Sequence, residues 1–391
     1  MASPAARRGS SLTSRDLFHA LVALPREAGT PAAAEARRLI TRFLEASGYR
    51  VREQRFTFLP AALSVLPLAG AGLGWLTLLE LPLLLWPGAP SLAAIGIWVA
   101  GAAALGVLAW GIGTGVEVPG AERREDANLI ATRGDAPVRR WIVAHVDTKA
   151  QGHSMAGRLV AVWLLLSACA GLTLLALARA ILGRPLPSSP VAAVAGAALA
   201  AGALAARGRL RGTSAGARDN GTGLLAALTA ADSIRDPGVG FLFTGAEEFG
   251  LVGARAAAKN GIPLDGVEVI NLDTIDQQGS LYIVCHDARG AGLARTLHPG
   301  LASLASRVVT RRLPLGILTD SLPLAGAGAA AVTVSRLDWA TLRVMHTAGD
   351  LPDGLNLSTA EAVGRVLAGL SRDRSGAEPG GSGRARNPPR A

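Results

Sequence analysis

Four long apolar stretches arrive as two tightly turned pairs, and they limit the possible folds more than any other feature of the chain. From 59 to 86 the only charge is Glu80, and from 91 to 115 there is none. Only Pro87-Gly-Ala-Pro90 separates the two. A second pair covers 159–182 and 191–206, joined by the Gly-, Pro- and Ser-rich segment 183–190. A helix needs roughly 20 apolar residues to cross a bilayer core, so the pairs read as two transmembrane hairpins with four spans. The last stretch is short and rich in Ala and Gly, which suits close helix packing but makes it the weakest span. The competing reading, buried helices of a large soluble core, explains the paired arrangement less well. Composition agrees with a membrane protein: half the residues are hydrophobic, and 17% are charged, against roughly 25% in soluble domains.

The net charge of +10 is carried by arginine, since Lys149 and Lys259 are the only lysines. Basic chains can bind nucleic acid, but here the arginines flank the apolar stretches and the chain ends, and no aromatic residues interleave a basic stripe. No nucleic-acid partner is expected. Cys169, inside an apolar stretch, and Cys285, at the end of a predicted strand, are too few for a disulfide framework and read as buried free thiols. Residues 1–27 contain arginines but no apolar core, so no signal peptide is expected.

Between the apolar pairs the sequence has the periods of soluble α/β structure. A helix is predicted over 31–46 with a stop at Gly48, followed by a strand in the second half of 51–58. Strands are predicted at 128–132 and 141–145. After 212, helices at 219–234 and 251–260 alternate with strands at 239–243 and 267–272, followed by strands at 281–285 and 330–334. A final helix opens on the capping box Ser358-Thr-Ala-Glu361 and runs to about 371. This alternation predicts a layered α/β domain built from three segments, 1–58, 116–157 and 207–371. Hairpins at 59–115 and 158–206 interrupt it, and the tail 372–391 is too polar to bury anything and is expected to be disordered.

Several clusters place acidic or imidazole groups at the ends of apolar strands. In Trp141-Ile-Val-Ala-His-Val-Asp147, His145 and Asp147 leave one strand on the same side, where the carboxylate could orient the ring. Asp219 lies in the glycine-rich loop Gly216-Ala-Arg-Asp-Asn-Gly-Thr-Gly223, where an isolated Asp would more often be a helix cap. Glu247 and Glu248 follow the buried strand Phe241-Leu-Phe-Thr244, and adjacent carboxylates in such a place need partners. Asp273 ends Val269-Ile-Asn-Leu-Asp273, and Val344-Met-His-Thr-Ala-Gly-Asp350 supplies a second imidazole, His346.

Taken together and in this order, the clusters resemble the M28 family of dizinc peptidases, which includes aminopeptidases. The matching motifs are His145-Val-Asp147, Asp219-Asn-Gly-Thr-Gly223, Glu247-Glu-Phe-Gly-Leu251, Asn271-Leu-Asp273 and His346-Thr347. Thr319-Asp320 stands where the family carries Ser-Asp, and Tyr49-Arg-Val-Arg-Glu-Gln-Arg-Phe56 is similar to the family's opening segment. The resemblance implies a three-layer αβα zinc-peptidase domain with a mixed central sheet, here interrupted by the four predicted spans. It implies two Zn2+ ions (cobalt or manganese would also suit such donors), one taking His145 and Asp273, the other Glu248 and His346, with Asp219 bridging. Glu247 would be the general base and Asp147 would support His145. Such ions lower the pKa of a shared water and polarise the scissile carbonyl.

Two departures stand out. His145 and Asp219 are 74 positions apart (219 − 145) where the family's loop is short, because the second apolar pair lies between them. Met345 precedes the late histidine where relatives often carry a Tyr that assists the oxyanion. His19, His153, His286 and His298 match no motif and read as surface or packing residues.

An even number of crossings returns the chain to one side each time, so the three soluble segments can assemble together. Arginines crowd that side, which by the positive-inside tendency faces the cytoplasm. The expected activity is that of a membrane-anchored aminopeptidase acting on peptide substrates beside the lipid bilayer. The alternatives are glutaminyl-cyclase-like amide chemistry on the same fold, or a non-catalytic receptor or scaffold. A transporter is disfavoured because Glu80 is the only charge in the four spans apart from Arg179, which lies near a helix end.

Overall fold

The structure, a computed structural model, describes residues 12–60, 65–114, 122–314 and 317–375. Alternation along the inner strands assigns their two faces. In β3 (Arg140–His145), Ile142 and Ala144 enter one apolar core while Trp141 and Val143 enter another. β4 (Val239–Thr244) sends Phe241 and Phe243 to the first core and Leu242 to the second. Strands covered on both faces must alternate in this way, because successive side chains point to opposite sides.

The first core is closed by α1 (Ser14–Val22), α2 (Pro31–Ala46), α7 (Gly223–Ser233), α9 (Ala288–Leu301) and α12 (Ser358–Ser375). The second is closed by α8 (Val252–Asn260) and α10 (Ser321–Gly326). The result is the expected three-layer arrangement. Among the described residues the sheet has eight strands in the order β1-β2-β4-β3-β5-β8-β6-β7. The others are β1 (Arg50–Phe58), β2 (Arg124–Thr132), β5 (Glu268–Ile275), β6 (Ser280–Cys285), β7 (Val308–Arg312) and β8 (Ala330–Leu337). β4, β3, β5 and β8 run parallel, whereas β1, β2 and β6 join antiparallel pairs, so the sheet is mixed. From β3 the chain goes first to β4 on one side and later to β5 on the other. β3 is therefore a topological switch point, and the carboxyl ends of such strands form the crevice where α/β sheets bind ligands.

Several elements depart from the predicted bounds. β1 spans all of 50–58, and α12 runs to Ser375 rather than 371; residues 376–391 of the predicted tail lie outside the described residues, as do residues 1–11. The helix expected over 219–234 starts as α7 only at Gly223, behind an irregular turn at Ala217–Thr222 in which Asp219 and Asn220 are non-helical.

The apolar pairs form α3 (Val65–Leu85), α4 (Ala93–Thr114), α5 (Met155–Leu182) and α6 (Ser188–Ala206). They pack around a core of their own that includes Leu73, Trp98, Leu172 and Ala198. α3 and α6 meet nearly backbone to backbone: a methyl group on Gly70 would lie 2.6 Å from the Gly202 carbonyl oxygen, and one on Gly202 the same distance from the Gly70 oxygen. Glu80 is buried in this bundle, and its carboxylate has no hydrogen-bond partner among the described residues.

Three of the four expected spans are matched by length and composition among the described residues. Among the described residues α3, α5 and α6 are long and apolar enough to cross a membrane, while the apolar stretch Ala93–Leu108 of α4 is shorter. The span that looked weakest, 191–206, qualifies because α6 begins at Ser188. Pro190 falls in its first turn, where a missing N–H breaks no helical bond.

Candidate metal centre

The carboxyl ends of β3, β4 and β5 converge on one buried cluster. β3 delivers His145 as its last residue. β4 stops at Thr244, and the following turn carries Glu247 and Glu248. Ala246 sits at φ 50°, a conformation that costs a residue with a Cβ. Asp273 lies in β5 beside a register irregularity between Leu272 and Ile275, and Thr274 after it has φ 58°, unusual for a β-branched residue. His346 itself has φ 62°. Three of the four left-handed non-glycine residues among those described thus lie on or beside the site.

Asp219 comes from the turn ahead of α7, and Asn220 fixes that turn to β5. Its side-chain oxygen accepts from the N–H groups of Gly223 and Thr274, and its amide donates to the Leu272 carbonyl. A methyl group on Gly223 would lie 2.5 Å from that same carbonyl, so only glycine allows the approach. Asp350 completes the support by accepting from the N–H groups of Arg218 and Asp219 at 2.9 and 3.0 Å.

All five expected ligands come together. Asp219 Oδ1 lies 3.2 Å from His145 Nε2, and Asp219 Oδ2 lies 3.0 Å from His346 Nε2. Asp273 Oδ1 is 3.9 Å from His145 Nε2, and Glu248 Oε1 is 3.4 Å from His346 Nε2. Donors on a tetrahedral ion with bonds near 2.0–2.2 Å stand roughly 3.3–3.6 Å apart, and the four spacings, from 3.0 to 3.9 Å, bracket that range. His145, Asp219 and Asp273 make one group able to hold an ion, and Asp219, Glu248 and His346 make a second. Glu248 Oε1 has no hydrogen bond among the described residues despite its burial, as an oxygen shaped for a cation would.

The electrostatics are those of a dense anionic site. Burial opposes charge on His145, but Glu247, Asp219 and Asp273 outweigh it and hold the imidazole well above its ordinary range. Burial lifts Glu247 well above the usual carboxylate range, and with nearby carboxylates it raises Asp273 to about 7. Asp219 goes the other way: burial is overcome by both imidazoles, which keep it ionised.

Asp147 sits beside His145, but its support is divided. The backbone carbonyl of Asp147 lies 3.0 Å from His145 Nδ1, whereas its carboxylate oxygen is 3.8 Å away. That carboxylate instead accepts from the N–H groups of Glu247 and Glu248 at 3.0 and 3.1 Å, fixing the turn that carries both glutamates. Asp320 is fully buried and receives the Thr244 hydroxyl. Of the histidines outside the motifs, His19 is exposed and His286 bonds Ser321 at 2.7 Å; His153 is buried against the neck described below. Cys285 is a buried free thiol as expected, whereas Cys169 is free but only half-buried.

Two functional neighbours were missed by sequence reasoning. Lys149 is buried with Nζ 2.5 Å from Glu248 Oε2; its only signal was rarity, a lysine four residues after His145 in an arginine-rich chain. Arg26 is fully buried and donates to the carbonyls of Leu21, Val146, Ala215 and Gly216. It ties the loop after His145 to the loop before Asp219, a role without any local signature.

The 74-position gap closes through a narrow neck. Gln151 pairs with Leu210 in an isolated antiparallel bridge, the Gln151 side chain donates to the Gly208 carbonyl, and Arg211 N donates to the Ala150 carbonyl. A cavity of about 780 Å³ opens above the ligands.

The sequence model of Peptidase family M28 matches residues 202–371. No curated protein sequence matches the chain. Among solved structures, a Zn-dependent exopeptidase from Parabacteroides distasonis is similar with a TM-score of 0.54 at 15% identity, over 92% of this chain and 98% of that one. A glutaminyl cyclase from Porphyromonas gingivalis gives 0.54 at 14% identity, over 93% and 98%. A leucine aminopeptidase precursor from Bacteroides thetaiotaomicron gives 0.53 at 12%, over 92% and 97%. The chain thus has the fold of these proteins, and the resemblance to family M28 read from its motifs is borne out.

Proposed function

We propose that this chain is a membrane-anchored zinc peptidase that removes residues from the amino end of peptides. The observation that carries the reading is the position of Asp219, each of whose carboxylate oxygens faces a different imidazole, with a further carboxylate behind each. In this reading His145 and Asp273 would hold one zinc and Glu248 and His346 the other, with Asp219 shared between the two groups. Zinc in such a site acidifies water and polarises a carbonyl. Glu247 is the general base: its buried carboxylate takes a proton from the attacking water and returns it to the leaving amine. Asp147 keeps Glu247 and Glu248 from exchanging places by holding both of their N–H groups. The two apolar pairs supply the anchor, and the arginines flanking them support a catalytic side that faces the cytoplasm by the positive-inside tendency.

The test is hydrolysis of aminoacyl chromogenic substrates by the purified, zinc-loaded protein, with metal content measured in parallel. Two zinc ions per chain without hydrolysis would reject the peptidase and leave the metal centre standing. One specific observation favours a second reading: the Lys149 ammonium lies against Glu248, a ligand of the second ion. A single zinc per chain with cyclisation of amino-terminal glutamine would establish that alternative.

A further inference from the structure

The cavity above the metal ligands has one wall that belongs to the apolar bundle. Leu159, Val162 and Trp163 of α5 and Ala69 of α3 line it together with Glu247 and His346. The length of α5 explains how a membrane helix reaches a catalytic cleft. Its 28 residues extend about 42 Å at roughly 1.5 Å per residue, while a hydrocarbon core is about 30 Å thick. The excess is about 12 Å, or roughly eight residues, the length of 155–162. Tilt alone could absorb such an excess, but here packing fixes the first turn: Met155 and Ala156 are buried against Leu342 and Met345, and Met155 N donates to the Met345 carbonyl. Beyond that docked stretch the outward side chains are apolar and bare, with Trp163 56% exposed and Leu164 and Leu166 each 44%. An exposed tryptophan at the junction is what a helix carries at the level of lipid headgroups. Leu318, 46% exposed, is a further apolar side chain in the lining of the same cavity. The cavity thus shows exposed apolar side chains from α5 and at Leu318, beside the basic Arg158, Arg255 and Arg311, and its α5 wall continues into the apolar stretch suited to a bilayer.

We propose that the substrates are peptides lodged in the bilayer surface, admitted sideways between Trp163 and Leu318, with the free amino end at the metal ligands and an apolar flank against Leu159 and Val162. This deepens the peptidase reading and rests on it and on the membrane anchoring. Water-soluble peptides reach the same ligands without using the apolar wall and gain nothing from it. Lipid-partitioned peptides are concentrated at the mouth and keep their apolar flank out of water throughout.

The test uses the full chain in phosphatidylcholine–phosphatidylglycerol nanodiscs and two peptides with the same first three residues, one continuing as a polar sequence and one as an apolar, bilayer-partitioning sequence. The expected kcat/KM for the partitioning peptide is at least tenfold higher, and Trp163→Arg brings that ratio towards one, with Trp163→Ala as the milder variant should the arginine impair insertion. A wild-type ratio near one, or a ratio indifferent to both substitutions, overturns the proposal. A second measurement needs no turnover: a benzophenone in the apolar part of the partitioning peptide, irradiated with the zinc-loaded Glu247→Gln protein, is expected to label 159–163. Labelling elsewhere, or none, overturns lateral admission. Hydrolysis of neither peptide removes the peptidase reading, while the labelling pattern still decides whether the wall receives peptides from the bilayer.

Discussion

Gln151 and Leu210 form a single antiparallel bridge that closes the neck of the second hairpin. The chain leaves for α5 and returns from α6 through one point, so the residues on either side resume as if nothing had been inserted. His145 and Asp219, 74 positions apart (219 − 145), end with donor atoms 3.2 Å from each other.

The neck has little room. A methyl group on Gly152 would lie 2.2 Å from the Arg207 carbonyl oxygen, so Gly152→Val is expected to spread it, because the obstacle is backbone and cannot swing aside. Zinc content measured by mass spectrometry should fall while the helical circular dichroism signal persists. Full metal occupancy would show that the neck does not register the site.

Glu247→Gln keeps the shape of the base and removes its proton-accepting power. Turnover is expected to drop by roughly a hundred- to ten-thousand-fold with metal content unchanged, whereas Asp219→Asn should lose metal. Equal metal loss in both variants would move Glu247 into the ligand set.

Lys149→Met removes a buried cation from the edge of the second ion group. Like charges repel strongly in a site of low polarity, so the variant should bind its second zinc at least tenfold more tightly in a competitive chelator titration. Weaker binding would show that Lys149 holds Glu248 in place for the ion.

Metal retention should depend on pH with a definite sign. His145 and His346 are held above their ordinary range by surrounding carboxylates against the effect of burial, so protons compete with the metal there. Zinc affinity should rise with pH. For the metal-free fold the sign is opposite. Asp147 and Asp273, each raised by burial from 3.8 to about 7, contribute stability that is present below the unfolded value and lost as pH rises through about 7. The gap in Tm between zinc-loaded and chelated protein should therefore widen from about pH 5 to about pH 7.5.

Arg26→Leu leaves the carbonyls of Leu21, Val146, Ala215 and Gly216 without their shared donor. A loss of about 3 kcal/mol is expected, read as a lower midpoint in denaturant, together with weaker zinc binding. A variant as stable as wild type would make Arg26 dispensable to the loops it joins.

His145, Glu248 and Asp273 were legible as candidate ligands because each stands at or just beyond the end of an apolar strand, where a carboxylate or imidazole has no reason to be buried unless something binds it; Asp219 and His346 have no such setting. The order of the motifs brought His145, Asp219, Glu248, Asp273 and His346 together as candidates, whereas the two faces of β3 and β4 emerged only from the packing. Span lengths were legible only approximately, because hydropathy marks the apolar stretch and not where the helix starts. Pro190 looked like part of the turn and proved to lie inside α6.

The sequence by itself determined the chemistry of the cluster and the existence of an apolar bundle, since residue type and local period suffice for both. Tertiary structure alone decided that the Asp147 carboxylate holds the Glu247 turn, that Arg26 and Asp350 fix the loops carrying Asp219, that Lys149 meets Glu248, and that α5 walls the cleft. Each of these is a contact between residues far apart in the chain. Such contacts are set by how the layers stack and how the neck closes, and no local pattern encodes them.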